Sequence, residues 1–228
     1  MNKKTIAVVV VAVVAVALVA TGLVLLMGHL AGTPSGSTGT TGSAVSLNQA
    51  TTNVQNYLGR MGYSNLAIGS MQEYSNMYYA QIIEHNNGTG AFELSVNKNT
   101  GVVTPMQGPT IIWNMKYGVG SNGMMGYLTT TTGTGGMMGG GGMMTWLRGT
   151  PTTNMAIGME EAKTIAQQYL DANYTGTTVG QVTTYYGYYT MQVLEDGNPF
   201  GMMAVYGNNG QVMYYSSMGT FMQQKVFG

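Results

Sequence analysis

The strongest hydrophobic pattern is an apolar run from residue 6 to residue 27, interrupted only by Thr21 and Gly22. Roughly 20 apolar residues suffice to cross a bilayer core as a helix. Lys3 and Lys4 precede the run and the next charged residue is Arg60, so the positive-inside bias places the N-terminus in the cytoplasm. We therefore predict a signal-anchor transmembrane helix over residues 1–28, in a single-pass cell-membrane protein whose domains are extracytoplasmic.

A cleavable signal peptide is the alternative for this segment, with cleavage near Ala20 or Ala31. The apolar region of a signal peptide is usually about 7 to 15 residues long, and this run is longer. Residues 29–45 are dominated by Gly, Ser and Thr, a composition typical of a flexible stalk. The domain is exported under either interpretation.

Two segments carry apolar residues at spacings of three and four, which predicts amphipathic helices. The first follows Ser46, a predicted N-cap whose capping box is completed by Gln49, and it ends at Gly62. The second follows Gly158 at the cap position. The apolar stripes comprise Leu47, Ala50, Val54, Leu58 and Met61 in the first segment, and Met159, Ala162, Ile165, Ala166, Tyr169 and Leu170 in the second.

Runs of β-branched and aromatic residues follow each helix and predict strands. These runs are 66–74, 77–85 and 91–96 in the first half, and 178–186, 188–194 and 202–206 in the second. Asn/Asp-Gly sequences separate them, as in Asn86-Asn87-Gly88 and Asp196-Gly197, and they supply the positive φ angles of tight hairpins. Each half therefore predicts one helix followed by an antiparallel meander.

The two halves are related by an internal repeat. Gln49-Ala50 recurs as Glu161-Ala162 at an offset of 112 residues, and Val96 recurs as Val205 at an offset of 109. Because the offset between the matching residues changes by only three residues, the repeat indicates a duplicated folding unit. We predict an α+β fold with one unit at 46–117, a Gly/Thr/Met-rich linker at 118–153 and a second unit at 154–228.

The repeat unit resembles the PepSY domain, a family whose last hairpin commonly reads Val-Asp-x-x-Thr-Gly-x-Val. The matching residues run from Val96 to Val103, as Val-Asn-Lys-Asn-Thr-Gly-Val-Val, and follow the helix and two strands. The second unit departs from the motif, with Gly207-Asn208-Asn209-Gly210 at the hairpin. The resemblance implies a small exported module that binds or inhibits peptidases, and it implies no catalytic residue.

Charged residues make up only 7% of the chain, against about 25% in typical soluble domains. Nucleic acid is an unsuitable partner, because phosphate binding needs clustered Lys and Arg. The chain has no Cys, which excludes disulfides and thiolate chemistry. Sparse charge limits the loss of stability in acid, so we hypothesise an acidophile's surface protein. The alternative is drift of the amino-acid composition in an ordinary extracellular protein.

Motifs for catalysis are weak, and we predict that the protein is not an enzyme. His29 and His85 have no partner at metal-ligand spacing. Adjacent Glu160 and Glu161 complement the dipole of a helix N-terminus. The glycine spacing in residues 118–123 fits a dinucleotide loop but lacks the βαβ context. Asn87 and Asn173 begin N-glycosylation triplets.

Six methionines form three adjacent pairs within the linker. Clustered thioethers are soft ligands suited to Cu(I) or Ag(I), and they bind without losing a proton. The alternative is that these flexible side chains fill gaps or make an adaptable contact surface. The candidate copper or silver ligands are Met124, Met125, Met137, Met138, Met143 and Met144.

A binding module is the favoured function, acting on a peptidase or another envelope protein. Open sheet edges can accept an extended peptide, and aromatic side chains supply contact area. Strand alternation places about half of the candidate tyrosines in the core. The predicted contact residues are Tyr78, Tyr79, Tyr185, Tyr186, Tyr188 and Tyr189.

Overall fold

The computed structural model describes residues 44–118 and 151–227. The predicted transmembrane helix lies outside these ranges, as does almost all of the predicted stalk. Within them, no helix is long and apolar enough to cross a bilayer.

The first repeat begins with helix α1, Leu47–Met61. Ser46 caps it by accepting a hydrogen bond from the backbone N–H of Gln49 at 3.2 Å, as predicted. The predicted contact from the Gln49 side chain back to Ser46 is wrong, because this side chain donates to Asn53 in the next turn instead. Gly62 ends the helix with a φ of 72°, a conformation that glycine adopts without strain.

Four strands follow α1, and the first three match the predicted runs to within a residue at each end. They are β1 (Leu66–Tyr74), β2 (Met77–Glu84), β3 (Gly90–Asn97) and β4 (Val103–Pro105). A one-turn helix, α2 (Pro109–Ile112), comes next. The sequence pattern did not predict β4 or α2, because three or four residues are too few to establish a strand or helix periodicity.

The second repeat has the same order of elements. Helix α3 (Met159–Asn173) starts at the predicted Gly158 cap and buries Ala162, Ala166 and Leu170. Met159 is 42% exposed and lies outside the buried stripe, contrary to the prediction. The strands are β5 (Thr177–Thr184), β6 (Tyr188–Glu195), β7 (Asn198–Tyr206) and β8 (Val212–Tyr214).

The chain then returns to the first repeat. After a short 3-10 turn at Ser216–Met218, strand β9 (Phe221–Val226) pairs antiparallel with β1. The first sheet therefore has the order β4-β3-β2-β1-β9, and the second has the order β5-β6-β7-β8. The C-terminal strand closes the β1 edge, which would otherwise be open to pairing.

The sheets lie face to face, and each helix covers the outer face of its own sheet. Alternate residues of β2 show the division, since Tyr78 packs beneath α1 while Tyr79 faces the second sheet. In β6, Tyr188 faces the first sheet while Tyr189 packs beneath α3. The described residues thus form an α/β/β/α arrangement within one compact unit. The predicted α+β class with antiparallel sheets is confirmed.

Candidate binding site at the junction of the two repeats

A connecting segment, residues 109–117, joins the first repeat to the second through backbone and side-chain hydrogen bonds. The Asn114 side-chain amide donates to the Ala91 carbonyl in β3 at 2.6 Å. The Met115 backbone N–H donates to the Tyr186 carbonyl in the turn between β5 and β6 at 2.9 Å. Both repeats therefore position this segment.

Glu93 in β3 anchors the start of the connecting segment. Its side chain is completely buried, and its backbone N–H donates to Thr110 Oγ1 of α2 at 3.0 Å. Thr110 Oγ1 donates in turn to Glu93 Oε2 at 2.9 Å. The hydroxyls of Tyr79, Tyr188 and Tyr215 donate to the carboxylate at 2.7, 3.0 and 3.0 Å. We call these five side chains the Glu93 cluster.

No basic side chain of the described residues forms a salt bridge with Glu93. Burial raises the pKa of Glu93 above its ordinary value of 4.5, because removing the carboxylate from water disfavours its charged form. Hydrogen bonds from Tyr79, Thr110, Tyr215 and Tyr188 act in the opposite direction and do not cancel the effect of burial. The same burial, with the carboxylate nearby, raises the pKa of Tyr79 and Tyr188.

Glu84, at the end of β2, anchors the other end of the connecting segment. Its carboxylate accepts from Lys116 Nζ at 2.5 Å and from the hydroxyls of Tyr117 and Tyr186 at 2.8 and 2.9 Å. Burial acts to raise the pKa of Glu84, but Lys116 and the two tyrosines outweigh it and hold the pKa below the ordinary value. This carboxylate is therefore charged and paired at neutral pH.

Glu73 in β1 is held in a similar way by the end of β3 and by β9. Lys98 Nζ lies 2.7 Å from one carboxylate oxygen, and the Gln223 amide lies 2.5 Å from the other. Burial again acts to raise the pKa of Glu73, and the lysine and glutamine again lower it overall. Three of the eight acidic residues in the chain are thus buried.

Sequence reasoning missed all three of these carboxylates as structural anchors. Glu93 interrupts a largely apolar run between Phe92 and Leu94, and that interruption is the one signal that could have singled it out. Glu73 follows Gln72 and Glu84 ends its strand, so neither has such a signal. Lys and Glu are rarely buried unless they are paired, so a charged residue in a central strand indicates a buried partner.

A cleft of about 340 Å³ opens where the connecting segment meets the second repeat. Its aromatic wall is Trp113 stacked on Tyr206, with ring centroids 5.2 Å apart and planes 19° apart. Met115 and Met155 add thioethers to the lining, and Thr152, Asn154 and Asn208 add polar groups. We call this the Trp113 cleft.

Two glycines let the walls of the Trp113 cleft approach each other. Gly187 has a φ of 101°, and a Cβ there would lie 2.5 Å from the Trp113 carbonyl oxygen. A Cβ on Gly207 would lie 2.0 Å from Met155 Sδ. The Gly187-containing turn therefore sets the width of the cleft.

The tyrosines predicted as a contact surface are mostly in the interior. Tyr79, Tyr185 and Tyr188 are completely buried, and Tyr78 and Tyr189 are 2% and 4% exposed. Tyr186 is half-buried and bound to Glu84. This prediction is corrected for the five buried residues, because both faces of each sheet are covered, one by a helix and the other by the opposite sheet.

The remaining candidate residues are dispersed. The six linker methionines and His29 lie outside the described residues. His85 and Asn87 are exposed in the turn between β2 and β3, and Glu160, Glu161 and Asn173 are exposed at the two ends of α3. Within the described ranges, no group of three His, Asp or Glu residues could hold a metal ion.

No protein-family model, no curated protein and no solved structure matches this chain.

Proposed function

We propose that this protein is a membrane-anchored, extracytoplasmic binding module that takes an apolar side chain of a partner polypeptide into the Trp113 cleft. The observation that carries the proposal is the cleft itself, with its aromatic and thioether walls and amide groups. Binding sites commonly combine an apolar lining with a few polar groups that orient the ligand. Aromatic side chains and flexible methionines are also the residues enriched where proteins contact one another.

The surroundings of the cleft favour a polypeptide partner. Ile112, which lines the cleft, is 51% exposed, so the apolar surface continues onto the outside of the molecule. The amides of Asn154 and Asn208 can pair with a peptide backbone. The resemblance to PepSY domains makes a peptidase of the envelope the first partner to test.

Site-specific photocrosslinking in the native membrane tests this proposal. A benzophenone amino acid replaces Ile112, and we expect it to capture one defined envelope protein after irradiation. Ala156→Trp, at an exposed position in the cleft lining, should fill the cleft and abolish that product. Ala172→Trp, on the exposed side of α3, is the matched control and should leave the product unchanged.

The proposal fails if Ala156→Trp and Ala172→Trp leave equal amounts of the crosslinked product. It also fails if no crosslinked product forms. Mass spectrometry of the captured protein then decides whether the partner is a peptidase. A peptidase partner predicts that purified full-length protein lowers its activity and that Ala156→Trp removes this inhibition.

A further inference from the structure

The turn between β2 and β3 holds one of the two Asn-x-Thr triplets in the chain, Asn87-Gly88-Thr89. Asn87 and Gly88 are exposed, and Thr89 is half-buried. The three residues line an open cavity of about 440 Å³ next to β5. A Cβ on Gly88 would meet no atom within 4 Å beyond its chain neighbours. The triplet is therefore accessible to a large molecule from outside.

The side chain of Asn87 is held in place and still has a free hydrogen. Its Oδ1 accepts from the Thr89 backbone N–H at 2.9 Å, which closes an Asx turn. Its Nδ2 donates to Glu84 Oε2 at 3.2 Å. An amide nitrogen carries two hydrogens, and the described residues offer Nδ2 no second acceptor. One hydrogen of Nδ2 is therefore available for replacement.

The Thr89 hydroxyl is also free, although the backbone of this residue is fixed. The Thr89 carbonyl accepts from the Glu84 N–H at 2.8 Å, whereas Thr89 Oγ1 has no hydrogen-bond partner within the described residues. N-glycosylation needs a Ser or Thr hydroxyl two residues after the asparagine. Because Thr89 lines the open cavity, an enzyme can contact both of the groups that define the triplet.

The other triplet, Asn173-Tyr174-Thr175, is held in place by α3. Asn173 is the last residue of the helix, and its Nδ2 donates to the Tyr169 carbonyl at 2.8 Å. The Tyr174 ring stacks on Tyr214, with centroids 4.2 Å apart. An enzyme could reshape this triplet only by unpacking Tyr174, whereas the first triplet has an exposed glycine at its centre.

We propose that Asn87 is an N-glycosylation site and that Asn173 is not. This inference rests on the extracytoplasmic location that is part of the proposed function, because N-glycosylated triplets lie on the surface of exported proteins. The donor is a lipid-linked oligosaccharide phosphate. The bond between sugar C1 and the phosphate oxygen breaks, and a bond between C1 and Asn87 Nδ2 forms. Nδ2 loses one proton, and the lipid phosphate leaves.

The modification is compatible with the turn as it is folded. The hydrogen that stays on Nδ2 can still donate to Glu84, and Oδ1 can still accept from Thr89. Val226, which is 70% exposed, and Phe227 line the same open cavity as Asn87. A bulky, soluble glycan at Asn87 therefore shields this apolar surface from other chains.

Mass spectrometry of the full-length protein purified from its native membrane tests the proposal. Trypsin separates the two triplets, because cleavage after Lys and Arg places them on the peptides 61–98 and 164–225. We expect the mass of sugar residues on peptide 61–98 and none on peptide 164–225. Electron-transfer fragmentation, which keeps the glycan attached, should locate the added mass at Asn87.

Variants of the same turn test the assigned groups. Asn87→Gln and Thr89→Ala should both lose the sugar mass, whereas Thr89→Ser should retain it. Thr89→Ala should also keep the melting temperature of the parent polypeptide without its glycan, since the hydroxyl has no protein partner to lose. Asn86→Gln is the matched control, because Asn86 is exposed in the same turn but begins no triplet. It should carry the same glycan as the parent protein.

Three results would overturn the proposal. The first is an unmodified peptide 61–98 in the protein from its native membrane. The second is sugar mass on that peptide that persists in Thr89→Ala. The third is a glycan on peptide 164–225.

This proposal and the proposed function fail separately. A bare Asn87 together with a crosslinked product at Ile112 overturns only the glycosylation site. A glycan on Asn87 without any crosslinked product overturns only the binding function of the Trp113 cleft.

Discussion

At the scale of single residues, the unusual feature is that three glutamates are buried in a chain that has few charged residues. Glu73 and Glu84 have lysine partners, whereas Glu93 is held by hydroxyl groups alone. These two kinds of environment move the carboxyl pKa in opposite directions. The paired glutamates stabilise the fold above their ordinary pKa, and they lose that contribution as the pH falls through their lowered folded pKa.

Glu93 makes stability depend on pH in the opposite direction, and the Glu93→Gln variant tests this. The folded protein retains a proton that the unfolded chain releases, so Glu93 reduces stability as the pH rises from 4.5 towards its folded pKa. Relative to Glu93→Gln, the parent protein should lose up to about 1.4 kcal/mol per pH unit over that window. Urea unfolding at several pH values between 4 and 8 measures this difference.

Glu160→Gln is the matched control for the Glu93 prediction. It removes an exposed carboxylate whose contact is a surface pair with Lys163. Its stability should follow that of the parent protein across the same pH range. Parallel curves for Glu93→Gln and the parent protein would contradict the prediction.

At the scale of elements, β9 is the feature that most changes the architecture. Helices and early strands of each repeat follow local periodicity, and their bounds are close to those predicted. Strand β9 shows no alternation of apolar and polar residues that would predict a strand, since exposed Met222 and Val226 lie beside Gln223 and Lys225. Its place is decided by the unpaired edge of β1, which lies far away in the sequence.

Single proline substitutions at two adjacent positions of β9 test how much the fold depends on this pairing. The Phe227 N–H donates to the Gly69 carbonyl, so by antiparallel alternation the Lys225 N–H points at β1 and the Val226 N–H points away. Lys225→Pro should lower the free energy of unfolding by about 1 to 3 kcal/mol, because a backbone partner in β1 is left unsatisfied. Thermal unfolding followed by circular dichroism measures the change.

Val226→Pro is the control for the strand-pairing prediction. Both side chains are exposed, so the two variants differ mainly in whether a ladder donor is lost. Val226→Pro should destabilise the protein by less than Lys225→Pro. Equal destabilisation by the two prolines would show that β9 does not pair as described.

At the scale of the whole molecule, the two repeats share one interior. The Glu93 cluster draws side chains from β2, β3, α2, β6 and the residue after β8. Strand β9 belongs to the second half of the chain but completes the first sheet. The repeats are therefore interdependent, although their sequences indicate two similar folding units. The acidic habitat suggested by the sparse charge stays a prediction.

Shared packing predicts a single unfolding transition for the two repeats. In scanning calorimetry of the full-length protein, we expect one peak whose calorimetric and van't Hoff enthalpies agree. Two separate transitions would contradict the prediction. Glu93→Gln should shift the whole peak, because the side chain contacts both repeats.

The sequence by itself determined the two long helices, the longer strands and the repeat. Helix stripes, caps, strand runs and positive-φ turns depend on residues within a few positions of one another, as at Ser46, Gly62 and Asp196-Gly197. Local patterns of this kind can be recognised without knowing which elements will meet. The resemblance to PepSY domains and the membrane anchor stay predictions.

Only the tertiary structure decided which groups share the interior. A period-two strand pattern shows that Tyr78 and Tyr79 face opposite ways, but not that a second sheet covers the open face. The partners of Glu93 and the return of β9 to β1 join residues that are distant in sequence. These features arise from packing two sheets face to face, and no local pattern encodes that choice.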